Sequence, residues 1–260
     1  MTEEQRFGGI RRLYGVAAYE AFTRARICIV GMGGVGTWAA EALVRSGIGH
    51  LTLIDMDDIC VTNVNRQLHA LDGNIGKAKV EVMAERIRLI NPNCQVDIVE
   101  DFLTPDNVAA LLDHNYDYII DAIDSIKPKA ALVSWCRSNK RKVITIGGAG
   151  GQIDPTKVQV ADLSRTVIDP LAAKLRNFLR RHHNFSRNTQ RRFHIECVYS
   201  TEQLRYPQED GSITLQRPKN GEAGMNCDTG FGACTPVTAT FGFVAAGRVL
   251  EKLAKKANEK

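Results

Sequence analysis

Paired metal-ligand spacing is missing from this sequence. Its seven cysteines, at positions 28, 60, 94, 136, 197, 227 and 234, include no CxxC pair. That excludes a zinc knuckle or a thioredoxin-type redox pair and leaves no structural zinc to expect. An odd, scattered set of thiols suits a reducing compartment, so a cytoplasmic location is expected. Residues 1–6 have no apolar segment behind them and do not read as a signal peptide. Long apolar runs are scarce too. The longest uncharged stretch, residues 229–247, holds Pro236 and several threonines and glycines, so a buried helix or subunit contact is expected there rather than a membrane span. With 44% hydrophobic and 24% charged residues, the chain of 260 residues is not disordered. It is long enough to bury a core without disulfides or metal.

Acid is missing from one particular stretch. Between residues 170 and 195 stand Lys174, Arg176, Arg180, Arg181, Arg187, Arg191 and Arg192, with no Asp or Glu. The formal net charge of +5 belongs to this stretch, since the remaining chain is slightly acidic. A run of cations is often only a solvated face, but an acid-free run of this length also suits a polyanionic partner.

Along residues 1–155, apolar runs of strand length fall at 27–30, 51–54, 96–99, 118–120 and 143–146. Helical patterns lie between them at 38–46, 78–90, 106–112 and 129–138. Asn91-Pro92 stops the second helix. This alternation predicts an α/β fold: a doubly wound, Rossmann-like, mostly parallel sheet with ligands at the carboxyl ends of its strands. Residues 156–260 read as a basic substrate-binding extension packed on that sheet. It has short strands near 158–160 and 195–199, a Gly/Pro/Asn-rich loop over 205–232 and a closing helix near 237–253.

The first strand runs into Gly31-Met32-Gly33-Gly34-Val35-Gly36, a GxGxxG turn that opens a helix. Its glycines let backbone approach a phosphate, and the helix N-terminus favours the anion. Asp55 ends the second strand, where its carboxylate can accept from a ribose. A dehydrogenase would be the default reading, but Asn63, Arg66 and Gln67 follow on the same side, and Lys79 opens the next helix. A fixed Arg and Lys near one phosphate cluster suit a triphosphate better than a diphosphate bridge. No Walker A loop is present: Gly76-Lys77 lacks the earlier glycine and the Ser/Thr. Asp121 and Asp124 close the fourth strand. Asp124 is placed where Mg²⁺ on nucleotide phosphates needs oxygen, and Asp121 is expected to be a structural acceptor. Trp38 and Trp135 read as packing.

The blocks Ile29–Gly36, Leu53–Asp57, Asn63–Gln67, Ile75–Lys79 and Ile123-Asp124 together resemble the ubiquitin-activating-enzyme-like family of adenylate-forming enzymes. That resemblance implies ATP and Mg²⁺ as cofactors and adenylation of a carboxylate, a ligase-type chemistry. It puts Gly31, Gly33, Gly34, Gly36, Asp55, Asp57, Asn63, Arg66, Gln67, Lys79, Asp124 and Ser125 around the nucleotide. Arg66, Lys79 and Asp124 would act in catalysis, with Asp124 on the metal. It further implies a homodimer in which an N-terminal arginine of the partner subunit, Arg6 or Arg12 in this numbering, completes the site. Residues 145–155, 169–176 and 231–232 are similar to one branch, whose expected reaction is dehydration of threonylcarbamoyladenosine beside the anticodon of tRNA. The basic run would then grip tRNA. Adenylation of a ubiquitin-like or sulfur-carrier protein is the alternative, which the missing CxxC pairs disfavour. Relatives use thiols with a sulfur-transfer partner, and Cys197 and Cys227 are the candidates here, with packing as their plainer role.

Overall fold

The computed structural model describes residues 2–217 and 231–259. Two helices come first: α1 (Glu3–Tyr14), closed by a Thr2–Gln5 capping box, and α2 (Val16–Arg24). Neither is apparent in the apolar pattern. α1 is polar along most of its length and carries two adjacent glycines, so its buried face is reduced to Phe7 and Gly8.

Strands and helices then alternate: β1 (Arg26–Val30), α3 (Gly36–Arg45), β2 (His50–Ile54), α4 (Lys79–Ile90), β3 (Gln95–Val99), α5 (Val108–Leu112), β4 (Tyr118–Asp121), α6 (Ile126–Ser138) and β5 (Val143–Ile146). β6 (Val158–Asp162), α7 (Pro170–His182) and β7 (Glu196–Ser200) follow. A short hairpin of β8 (Tyr206–Pro207) and β9 (Ile213–Thr214) precedes the long α8 (Thr235–Asn258). The main sheet has the order β3-β2-β1-β4-β5-β7-β6. Every pairing is parallel except that of β6 with β7, which closes one edge antiparallel. β7 is hydrogen-bonded to β5, so residues on both sides of position 155 share one sheet.

The central strands are buried on both faces, as their unbroken apolar runs demand. One core lies between the sheet and α2, α3, α4 and α8, and includes Phe22, Met32, Leu43, Met83, Val237 and Phe241. A second lies on the other face, beneath α5, α6 and α7, and includes Leu112, Leu132, Leu175, Leu179 and Phe193. The uncharged stretch near residue 240 is therefore core: α8 packs its small residues on α2 and α3, and no helix among the described residues is long and apolar enough to cross a membrane.

The topology changes direction between β1 and β4. β1 is flanked by β2 on one side and β4 on the other, and the chain leaves the sheet in opposite senses there. In open α/β sheets that is where a crevice forms outside the strand ends.

Candidate active site

The register puts the candidate residues level with one another. Val30 pairs with Ile54 and with Asp121, so Gly31, Asp55 and Ala122 emerge side by side at the carboxyl edge. The loops touch there. Gly31 adopts φ +97°, and a Cβ on it would lie 2.8 Å from the Ala122 carbonyl oxygen. A Cβ on Gly36 would lie 1.8 Å from the Gly31 carbonyl oxygen. Two of the glycines are therefore fixed by close packing of backbone on backbone, which opens α3 directly beneath the turn.

Asp55 braces this turn. Its Oδ2 accepts from the Met32 amide at 2.5 Å and its Oδ1 from the Asp57 amide at 2.8 Å. Arg66 and Gln67 come in over the turn from a short 3₁₀ helix, Val61–Asn63, and the turn after it. A Cβ on Gly34 would stand 3.1 Å from Arg66 Cγ, and one on Gly33 would stand 3.9 Å from Gln67 Nε2. Asn63 is buried and its Oδ1 accepts from the Cys60 amide, pinning that turn. The Arg66 guanidinium donates to the Thr62 carbonyl at 2.8 Å and to Asn65 Oδ1 at 2.9 Å, and remains half-exposed. Lys79 opens α4 with its Nζ 2.7 Å from Asp57 Oδ2; the lysine is buried while the aspartate is half-exposed. Asp124 and Ser125 are exposed at the tip of the β4–α6 loop. Glycine turn, Arg66, Gln67, Lys79 and Asp124 thus stand on loops and helix starts beyond the carboxyl ends of β1, β2 and β4.

Two buried groups near these loops, His69 and Lys129, have no local sequence signal. His69 has a ring nitrogen, Nε2, 3.0 Å from the Met32 carbonyl, so that nitrogen donates. Burial first, and the charge of nearby Lys79, push its pKa down to about 4. Its Nδ1 and the Gln67 Oε1 are buried without a partner. Lys129, 1% exposed, donates to the Ile123 carbonyl at 2.8 Å and pairs with Asp121 Oδ2 at 3.0 Å. Asp121 also accepts from Thr145 Oγ1 at 2.5 Å and from the Ile123 amide, which is the structural role expected of it. Burial drives its pKa up, and Lys129 opposes that. Asp169 caps α7 and accepts from the Gly148 and Ala172 amides, with its pKa also raised by burial. Lys129 and Asp121 set the backbone on which Asp124 stands.

Trp38 does more than pack. Its Nε1 donates to the Arg66 carbonyl at 3.0 Å, and its ring meets Phe243 of α8 edge-on at 5.8 Å. Asn65 donates to the Ala233 carbonyl, and Thr235 Oγ1 donates to the Asn65 carbonyl. The start of α8 thereby clasps the Arg66 turn. Half-buried Cys234 stands at that junction.

Other expected residues lie elsewhere. Arg6 donates to the Ile90 carbonyl at the far end of α4 from Lys79, which is about 18 Å of helix for twelve residues. Arg12 is exposed on α1. Neither reaches the glycine turn of its own chain. Cys197 sits in central β7, fully buried, with its thiol pKa driven up by burial; packing, rather than thiol chemistry, is what that position supports. Cys227 lies outside the described residues. Of the basic run, Arg176 is tied to Thr166 Oγ1 and the Leu163 carbonyl. Arg180 donates to the Ser186 carbonyl and lies over the Phe193 ring. Arg176 thus braces the segment before α7 and Arg180 the one after it. Lys174, Arg181, Arg187, Arg191 and Arg192 are exposed.

A match to the ThiF family model covers residues 9–260. The chain belongs to the ThiF family. It is 58% identical to the tRNA threonylcarbamoyladenosine dehydratase of Escherichia coli strain K12 over 254 residues, covering 97% of this chain and 95% of that relative. Among solved structures, the E. coli tRNA N6-threonylcarbamoyladenosine dehydratase in complex with AMP superposes with a TM-score of 0.88 at 56% identity. The same enzyme in complex with ATP superposes with a TM-score of 0.87 at 54% identity. Each superposition covers 99% of this chain and 97% of the other. The expected α/β sheet and its C-terminal helix agree with these neighbours.

Proposed function

We propose that this ThiF-family chain dehydrates threonylcarbamoyladenosine in tRNA, using ATP to adenylate its carboxylate. The observation that carries this reading is near-full-length similarity to an enzyme of that name, and Arg66 packed on Gly34 of the glycine turn supports it. This edge of the sheet suits a nucleotide triphosphate. Open turn amides and the α3 N-terminus favour phosphate, Arg66 adds a fork of donors, and the Gln67 side-chain nitrogen, a further donor, faces Gly33 of the turn.

A free carboxylate is a poor electrophile because its oxygen does not leave. In the proposed route a carboxylate oxygen attacks the α-phosphorus, pyrophosphate departs, and an acyl-adenylate remains. The urea group of the same nucleoside then attacks the activated carbonyl. The bond from that carbon to the phosphate-linked oxygen breaks, AMP leaves carrying that oxygen, and the urea loses a proton. The net change in the nucleoside is the loss of one water. Ring closure is intramolecular, and well-oriented reactions of that type gain about 7–11 kcal/mol of barrier relief.

This chain's own contribution is electrostatic and positional. Arg66 and the turn amides oppose charge on the transferred phosphoryl group. Lys79, neutralised by Asp57 at 2.7 Å, holds the floor of the crevice. Asp124 is an exposed single carboxylate, and Mg²⁺ binds proteins through one or two carboxylates plus substrate phosphates, so this residue fits the metal. When bound there, Mg²⁺ would shield phosphate charge. Lys174, Arg181, Arg187, Arg191 and Arg192 are assigned to the tRNA backbone, and a second copy of the chain to the arginine that completes the site.

The test is incubation of threonylcarbamoyladenosine-containing tRNA with the protein, ATP and Mg²⁺, followed by mass analysis of the nucleosides. One water should be lost from that nucleoside alone, with AMP formed only when tRNA is present. ATP consumption driven by a carrier-protein C-terminus and not by tRNA would refute the assignment.

A further inference from the structure

We propose that the groove between α6 and α7 is a stacking site for one unpaired nucleobase of the tRNA loop that carries the reacting group, an inference that rests on the function proposed above. The groove has a volume of about 310 Å³ and is lined by Ile126, Lys174, Asn177, Phe178, Arg181 and His182. It opens beside the crevice: Ile126 is the first residue of α6, two positions after Asp124, and two residues span at most about 7 Å.

The other wall is one face of α7, because spacings of three and four residues bring Lys174, Asn177, Phe178, Arg181 and His182 into line. Phe178 and His182 form an aromatic wall, with ring centroids 4.4 Å apart and planes tilted by 42°, and the His183 ring centroid lies 5.9 Å from that of Phe178. Exposed Lys174 and Arg181 flank the rings.

The combination singles out a nucleotide. Cations alone would serve any polyanion. Aromatic rings between cations serve the π-face of a base with its phosphates, and such stacking is tolerant of sequence. The Asn177 amide adds a donor and an acceptor for a base edge. Arg176 and Arg180, which point into structural contacts, take no part.

The experiment measures tRNA affinity against salt concentration for the full chain and for Phe178→Leu, His182→Ala, Lys174→Gln and Arg181→Gln. Unfolding midpoints serve as the check on folding, and His182 is exposed enough to substitute safely if Phe178→Leu is unstable. The ring variants should bind about ten-fold more weakly at every salt concentration with an unchanged salt slope. The cation variants should each lower the slope by about 0.7. A tRNA series with single abasic positions around the loop supplies the second arm. One position should weaken the unaltered protein about ten-fold and add little to Phe178→Leu. Ring variants that bind like the unaltered protein, or abasic effects that simply multiply, would overturn the stacking site while leaving the dehydratase reading intact. An unaltered protein that neither binds nor converts tRNA would remove both.

Discussion

At the scale of single residues, the proposed function separates groups assigned to phosphate from groups that hold them in place. Arg66 and Asp124 are assigned to the first kind. Arg66→Ala and Asp124→Ala should each cut tRNA-dependent AMP formation by roughly 10²–10³, measured by nucleotide chromatography, while tRNA retention on a filter stays close to that of the unaltered protein. Near-normal turnover in either variant would contradict the assignment. His69 belongs to the second kind. It is buried, donates to the Met32 carbonyl and has its pKa lowered from 6.5 to about 4. The unfolded chain therefore takes up a proton that the folded chain refuses. The stability contributed by neutral His69 is present above pH 6.5 and is lost as the pH falls toward 4, to a total of about 3 kcal/mol. Urea titrations at pH 7.5 and pH 5 should show a drop that is largely absent in His69→Gln, and an equal drop in both proteins would refute it. These two kinds of residue differ in legibility. The placement of Gly31, Gly36, Asp55 and Arg66 was readable because a glycine turn and a strand end are marked by spacing along the chain. His69, Lys129 and the Trp38–Arg66 bond were not, because each acts through a partner brought close only by folding.

Among the elements, α8 has the least obvious share in the site. Its apolar stretch reads from sequence as a buried helix, and its contacts show why it must be lined with small residues. A Cβ on Gly242 would stand 2.6 Å from the Val35 carbonyl oxygen and 2.8 Å from the Ala39 amide. α8 thus crosses α3 backbone to backbone, at the residue that precedes Gly36. Gly242→Ala should lower stability by about 1–3 kcal/mol through overpacking and weaken ATP binding, since Val35 must move. Gly247, on the exposed side of the same helix, has nothing within 4 Å of a Cβ. Gly247→Ala should leave ATP binding alone and gain up to about 1 kcal/mol from helix propensity. Paired urea and ATP titrations check both, and the same response at the two glycines would refute the crossing. The strand–helix alternation was legible because each central strand is an unbroken apolar run. α1 and α2 were not, since the first carries two adjacent glycines and little apolar surface. The basic run disclosed its charge but not that Arg176 and Arg180 are spent on bracing.

On the scale of the whole molecule, one sheet joins the glycine-turn edge to the basic surface. β7 lies against β5, and α8 completes the core over α2 and α3. A chain ending at residue 155 would leave the β5 edge unpaired and expose the surface that Val237, Phe241 and Ala245 cover. It should show no cooperative urea transition by circular dichroism; a sharp transition would mean that the first part folds alone. Under the proposed function that continuity would bring adenylation next to bound tRNA, so the fate of the oxygen that leaves the substrate tests the central claim most directly. With ¹⁸O in the threonylcarbamoyl carboxylate, the protein, ATP and tRNA should yield AMP bearing one ¹⁸O on its phosphate and unlabelled pyrophosphate. Label recovered in inorganic phosphate alongside ADP, or AMP free of label, would contradict attack of the carboxylate on the α-phosphorus.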